Sequence, residues 1–218
     1  TGTGAPRFAL LGDSHARMYT EGVDMLMREH QDRAIVMARS SCVPAIGIEP
    51  PTRRECRDLT QASLDFLVRS DIPLVILAGY WTDLAQDDDR ARLLAQGLET
   101  TIVNLRASGK RIVLLMDIPE LSDDRQAYRA ALHSAREGGN PIFGQMLDEH
   151  IEAQARIYLH LKTIAKKHEL TTIDPADSLC STNRCLIANQ GRALYRDKHH
   201  ITDETAIQYR KIFLPLFK

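Results

Sequence analysis

The chain has 218 residues, 44% hydrophobic and 26% charged, with 28 basic against 29 acidic side chains and a formal net charge of −1. That composition is that of a folded globular chain of one domain and excludes intrinsic disorder. It leaves no surplus of positive charge to neutralise a phosphate backbone, so no nucleic-acid partner is expected.

The longest apolar runs, Leu74 to Ala78 and Ile112 to Met116, are far shorter than the ~18 residues a membrane span needs. The chain opens Thr-Gly-Thr-Gly-Ala-Pro, without the basic and apolar regions of a signal peptide. Four cysteines form two sequence-near pairs, Cys42 with Cys56 and Cys180 with Cys185. Neither pair has CxxC spacing or histidines at metal-ligand spacing beside it, and no metal and no cofactor is expected. Two readings stay open at this point: local disulfides in an oxidising compartment, or free buried thiols in a cytosolic enzyme. The first would make the chain a mature fragment or a domain of a longer protein.

Short apolar runs alternate with longer amphipathic stretches, the pattern of β-α-β units on a parallel sheet. The first strand is expected over Arg7 to Leu11, followed by Gly12-Asp13-Ser14 and a helix from about His15 to Glu29. Ala34 to Ala38 reads as the second strand, and Cys56 to Val68 as a helix with Leu59, Ala62, Leu64 and Leu67 at its spacing. The third and fourth strands, Leu74 to Ala78 and Arg111 to Met116, are nearly continuous aliphatic runs, as expected where helices cover both faces of a sheet. Between them Asp89 to Arg106 reads as a helix closing at Gly109.

From Ile118 to Asp148 the pattern is irregular, and 118–148 is expected to be an insertion with one short helix near Arg125 to Ala135. A long helix over Asp148 to Glu169, a fifth strand at Thr171 to Ile173, and a last helix capped by Thr202 and running to about Phe213 complete the chain. The expected fold class is α/β: a three-layer α/β/α sandwich around a five-stranded parallel sheet, as one domain over residues 1–218.

In doubly wound sheets ligands bind beyond the carboxyl ends of the strands. The first turn there is Gly12-Asp13-Ser14-His15. Gly12 permits a tight strand-to-helix turn, and Ser14 then sits at a helix start whose N–H groups favour negative charge. The bland reading of Ser14 is a plain helix cap. Near the other end, Asp197 and His200 stand three apart before the last helix, where a carboxylate can orient an imidazole and stabilise its protonated form. The bland reading there is a solvated polar loop, and the two motifs gain meaning together.

Gly12-Asp13-Ser14-His15 after the first strand and Asp197-x-x-His200 before the last helix resemble the first and last blocks of the SGNH (GDSL-like) hydrolase superfamily. Ser41-Cys42-Val43-Pro44, the Cys180 to Cys185 loop and the closing His200-Ile201-Thr202 are similar to the periplasmic SGNH domains of acyltransferase-3-type membrane proteins. Those proteins O-acetylate bacterial surface polysaccharides such as the lipopolysaccharide O-antigen, and the resemblance covers nearly the whole chain. It implies a flavodoxin-like sheet and a catalytic triad of Ser14, His200 and Asp197. It implies disulfides 42–56 and 180–185, the simplest of three connectivities. It further implies a periplasmic location as the soluble, C-terminal part of an inner-membrane protein. The partners would be a polysaccharide acceptor and a fused or associated membrane acyltransferase domain that supplies the acyl group.

The chain departs from the superfamily pattern at the oxyanion donors, where a Gly after the second strand and an Asn after the third are usual. Here those regions read Ser40-Ser41-Cys42 and Gly79-Tyr80-Trp81, with Trp81 where the Asn would fall. The Ser14 amide is the first oxyanion candidate, with the Ser41 and Gly79 amides beside it. Loss of one donor costs ~10²–10³ in rate, so weak hydrolysis of simple esters is expected, as suits a transferase.

His200 is preferred over its neighbour His199 as the base, because two residues separate the Asp and the His in the superfamily. Asp13 is expected to fix the turn, and His15, Tyr80 and Trp81 are the substrate-binding candidates, although His15 reads equally as a satisfied helix-start histidine and an aromatic pair at a strand end is as often core packing. Two alternatives to acetyl transfer stand beside it: a carbohydrate acetyl esterase with water as acceptor, and a non-catalytic glycan-binding module of the same fold.

Overall fold

The computed structural model describes residues 6–49 and 53–217. The chain forms two compact units, the first from residues up to 17, 26–116 and 154–173, the second from 18–25, 117–153 and 174 onwards.

The first unit is built on five parallel strands: β1 (Phe8–Gly12), β2 (Ala34–Ala38), β3 (Leu74–Ala78), β4 (Arg111–Leu115) and β6 (Thr171–Ile173), in the order β2-β1-β3-β4-β6. β1 and β3 are buried along their whole length, which explains why their sequences carry no polar alternation. On one face Ala9, Leu11, Val75, Leu77, Ile112 and Leu114 pack against α3 (Cys56–Arg69), α5 (Asp88–Ala107) and the later turns of α7 (Leu147–Lys167). Burial of each large aliphatic there contributes roughly 1.5–3 kcal/mol before the entropy of ordering the chain is charged against it. α5 starts where the Asp87 carboxylate accepts the Arg90 N–H at 2.8 Å. It stops before Gly109, whose φ of +82° favours glycine.

Strand order reverses at β1, with β2 on one side and β3 on the other. The crevice outside the carboxyl ends at such a switch point is where open α/β sheets bind ligands. The turn into α1 (Ser14–Arg17) leaves β1 there, and the turn into α4 (Trp81–Leu84) leaves β3 beside it.

The second unit centres on a small antiparallel sheet of β5 (Ile142–Met146), β8 (Arg184–Asn189), β7 (Cys180–Ser181) and β9 (Arg192–Ala193). α6 (Gln126–Arg136), α8 (Ala176–Leu179), α9 (Asp203–Gln208) and a 3₁₀ segment, Arg210–Phe217, complete it. Within 118–148 the expected short helix is α6, but the expectation of an otherwise irregular insertion is corrected: β5 lies in it and pairs with β8 across some forty residues. Gly144 packs closely in that pairing, since a Cβ there would lie 2.8 Å from the Ile187 side chain, which would have to shift.

Two helix expectations also change. The stretch after β1 is α1 and then α2 (Thr20–Glu29), separated by Met18 and Tyr19, both buried, with Tyr19 packed edge-on to Phe213 at 5.6 Å. The last helix stops at Gln208 and tightens to 3₁₀, with Pro215 removing a backbone donor. Thr202 does cap α9, its hydroxyl accepting the Thr205 N–H at 3.2 Å.

Candidate active site

Ser14 is the first residue of α1, two residues beyond Gly12 at the end of β1. Gly12 cannot be replaced without moving backbone: an added Cβ would sit 1.9 Å from the Ala78 carbonyl oxygen on β3. Asp13, only 2% exposed, locks the turn from its other side. Its Oδ1 accepts the His15 N–H at 2.8 Å and its Oδ2 accepts the Tyr80 N–H at 2.9 Å. One carboxylate thereby ties the serine turn to the chain leaving β3, the turn-fixing role its position suggested.

The binding candidates separate on burial. His15, only 2% exposed, stacks on Tyr80 with ring centroids 4.4 Å apart and planes 8° from parallel, so of this pair it is the half-buried Tyr80 that reaches the surface. Trp81 is a correction: it is 1% exposed, belongs to the core, and donates its indole N–H to the Leu115 carbonyl at 3.0 Å. It therefore offers no face to a sugar, and its N–H is taken up by the Leu115 carbonyl.

Ser41 lies on the turn after β2 at a φ of +66°, the left-handed region that glycine enters without penalty. The chain keeps a glycine-type turn without a glycine. Gly79 is held by close packing, because an added Cβ would meet Val43 at 3.1 Å and the Trp81 ring at 3.2 Å. A disulfide joins Cys42 to Cys56 across this side of the first unit, and a second joins Cys180 to Cys185 in the second unit.

Asp197 and His200 lie in the second unit, on a loop whose ends are closed by the Tyr195–Ile201 bridge and by Thr202 N–H donating to the Leu194 carbonyl at 2.9 Å. His200 is 8% exposed, and its Nδ1 stands 2.8 Å from Asp197 Oδ2 and 3.1 Å from Oδ1. Asp197 Oδ1 also accepts the backbone N–H groups of His199 at 2.9 Å and His200 at 2.8 Å. Partial burial pushes the Asp197 carboxyl up, but the His199 N–H, the His200 ring bond and the electrostatic influence of the two neighbouring imidazoles outweigh it, and the net shift is downward. An ionised Asp197 fixes the ring proton on Nδ1 and leaves Nε2 as the basic nitrogen. His199 contributes its backbone N–H to the carboxylate, while the ring beside the carboxylate is that of His200.

Two residues absent from the sequence reading hold this loop. Leu121 donates its N–H to the Lys198 carbonyl at 2.7 Å, and the Asp124 carboxylate accepts the Lys198 N–H at 3.2 Å. Their segment is itself anchored on α6, where Arg129 forms an ion pair with Asp123 at 2.6 Å and the Gln126 side chain accepts from Ser122. Nothing in the sequence around Asp124 points to a partner 74 residues away.

The chain matches, over residues 1–215, the family model of the SGNH domain fused to AT3 domains. It belongs to that family, an α/β fold of the SGNH hydrolase type. Its fold is shared with the lipopolysaccharide acetyltransferase periplasmic domain of Salmonella ser. Paratyphi A: TM-score 0.77 and 15% identity, over 99% of this chain and 85% of that one. TesA follows at TM-score 0.55 and 16% identity, over 97% of each chain. An acetyl xylan esterase, AlAXEase, gives 0.54 and 13%, over 95% of this chain and 98% of that one. No curated protein sequence matches the chain. Among the described residues no helix is long and apolar enough to cross a membrane.

Proposed function

We propose that the chain transfers an acyl group, acetyl first among the candidates, to a hydroxyl of a bacterial cell-surface polysaccharide such as the O-antigen, through an ester on Ser14. His200 Nε2 removes the Ser14 hydroxyl proton as Oγ attacks the acyl carbonyl carbon. The tetrahedral adduct collapses, its leaving group takes that proton from His200, and an acyl-serine remains. A sugar hydroxyl then gives its proton to His200, attacks the ester and departs acylated, with the Ser14 hydroxyl restored. Asp197 orients the ring and stays ionised throughout. The Ser14 amide, with those of Ser41 and Gly79, receives the oxyanion.

The observation that carries this reading is the Asp197–His200 pair, with carboxylate and Nδ1 2.8 Å apart. The family description, an SGNH domain fused to AT3 domains, supports a fused acyltransferase domain as the source of the acyl group, and the likeness to a periplasmic domain of a lipopolysaccharide acetyltransferase supports a periplasmic setting. The Trp81 indole N–H is committed to Leu115, and one missing oxyanion donor costs ~10²–10³ in rate. Slow hydrolysis of simple esters, with transfer preferred, follows from that.

A fluorophosphonate probe should label Ser14, and Ser14→Ala or His200→Ala should nearly abolish turnover, since a positioned base contributes ~10²–10⁴-fold. Full activity in Ser14→Ala rejects the triad. No adduct on a folded sample leaves a glycan-binding module as the reading. Acetyl-ester loss measured with and without an oligosaccharide acceptor separates transferase from esterase: a transferase partitions towards acetylated sugar, an esterase releases acetate at the same rate in both.

A further inference from the structure

We infer that the second unit holds a separate subsite for a neutral sugar residue, in the groove between the β8–β9 hairpin and α9; its place in the reaction rests on the acceptor being a glycan. The groove encloses about 320 Å³, within the ~300–1,000 Å³ typical of small-molecule sites. Asn189, Gln190 and Arg192 line the hairpin side, Glu204 and Gln208 the helix side, and Leu194 contributes apolar surface.

The chemistry of the lining selects the ligand class. None of those five polar side chains has a hydrogen-bond or ion-pair partner among the described residues, unlike Arg129, which pairs with Asp123. Arg192 and Glu204 line one cavity yet stand apart. One cation opposite one anion makes the groove neutral as a whole, so a phosphate or a carboxylate would gain from Arg192 only by facing Glu204. An apolar acyl chain would desolvate amides and charges without satisfying them. Sugar hydroxyls both donate and accept, and three amide side chains with a guanidinium and a carboxylate offer both complements.

The walls are also preorganised, which lowers the cost of binding. The hairpin turn is held by Gln190 N–H on the Gly139 carbonyl at 2.9 Å and Gly191 N–H on the Ser134 hydroxyl at 3.0 Å. Leu194, which lines the groove, is also one foot of the loop that carries Asp197 and His200. A polymer seated here is held beside the base of that loop, so the groove would anchor a residue of the acceptor other than the one acylated.

The test titrates the methyl α-pyranosides of glucose, galactose, mannose and rhamnose into isotope-labelled chain, up to about 50 mM, a range that captures weak millimolar binding. At least one should give saturable shifts concentrated at 189–193 and 204–208, weakened about tenfold or more in Arg192→Ala and Glu204→Gln. Turnover of 4-nitrophenyl acetate by those variants should be unchanged. The two substitutions lie on different walls, so a folding failure in one leaves the other to decide. No saturable shift from any of the four, or equal affinity in both variants, overturns the subsite. If the groove binds and the unaltered chain turns over no ester, acyl transfer fails and the subsite stands; with ester turnover and no binding, the subsite fails and acyl transfer stands.

Discussion

The two halves of the proposed catalytic set are held in different ways. Ser14 sits on a turn whose geometry follows from its immediate neighbours: Gly12 lets β1 pass within contact of the Ala78 carbonyl, and Asp13 closes the turn with both carboxylate oxygens. Asp197 and His200 sit on a loop with little regular structure, where position comes from a bridge, two bonds at Lys198 and a carboxylate that accepts from its own loop. The first half is stiff because a buried parallel sheet leaves it no room. The second is stiff because separate hydrogen bonds restrain it, and each can be removed singly.

The contrast breaks first at Gly12. Gly12→Ala should cut turnover by about 10²-fold or more, because the backbone must shift where the serine is placed, and should cost roughly 1–3 kcal/mol in denaturant unfolding as overpacking. An alanine variant with unaltered turnover would mean the serine turn is not sterically defined.

Asp124→Ala removes one of the two bonds on Lys198, and one such bond is worth about 1 kcal/mol. A fall of roughly fivefold in kcat with KM unchanged is expected, as for a loss felt in the reacting geometry rather than in substrate binding. Asp124→Asn, which keeps an acceptor oxygen, should restore most of it. A rise in KM alone would place Asp124 in binding instead.

The disulfides sharpen the same comparison on stability. On the chain-entropy model, opening Cys42–Cys56, with its separation of 14, costs roughly 3 kcal/mol, and opening Cys180–Cys185, with its separation of 5, roughly 2 kcal/mol. Denaturant unfolding of the paired serine variants checks the order, and equal losses would show that loop length does not set it.

The smallest effect is a pH slope. His150 is buried in the second unit, and burial pushes its imidazole down against the opposing pull of Asp174 and Glu120. Its folded pKa lies below the ordinary 6.5. The unfolded chain therefore takes up the proton first, and stability present above that value is lost as pH falls through it. His150→Gln should flatten the unfolding free energy in the window just below pH 6.5, and an unchanged slope would assign the acid sensitivity to other groups.

How much of this was legible in the sequence differs between the halves for the same reason. β2, β3 and β6 were readable residue by residue, and β1, β4, α3 and α5 to within a residue or two, because apolar runs and helical periodicity record burial locally. Gly12, Asp13 and Ser14 were readable because a strand-to-helix turn states its needs within four residues. Trp81 was not: an aromatic at a strand end reads equally as platform or core until its indole N–H is found on Leu115.

The linear order of residues by itself determined an α/β chain with a parallel sheet, a serine turn after the first strand and an Asp-His pair before the last helix. Only the tertiary structure decided that 118–148 carries a strand of an antiparallel sheet, that Leu121 and Asp124 hold the Asp-His loop, and that five polar side chains from hairpin and helix line one groove. Periodicity reports which face of an element is buried, whereas hydrogen bonds between residues some 40 to 75 positions apart leave no periodic trace in the chain that makes them.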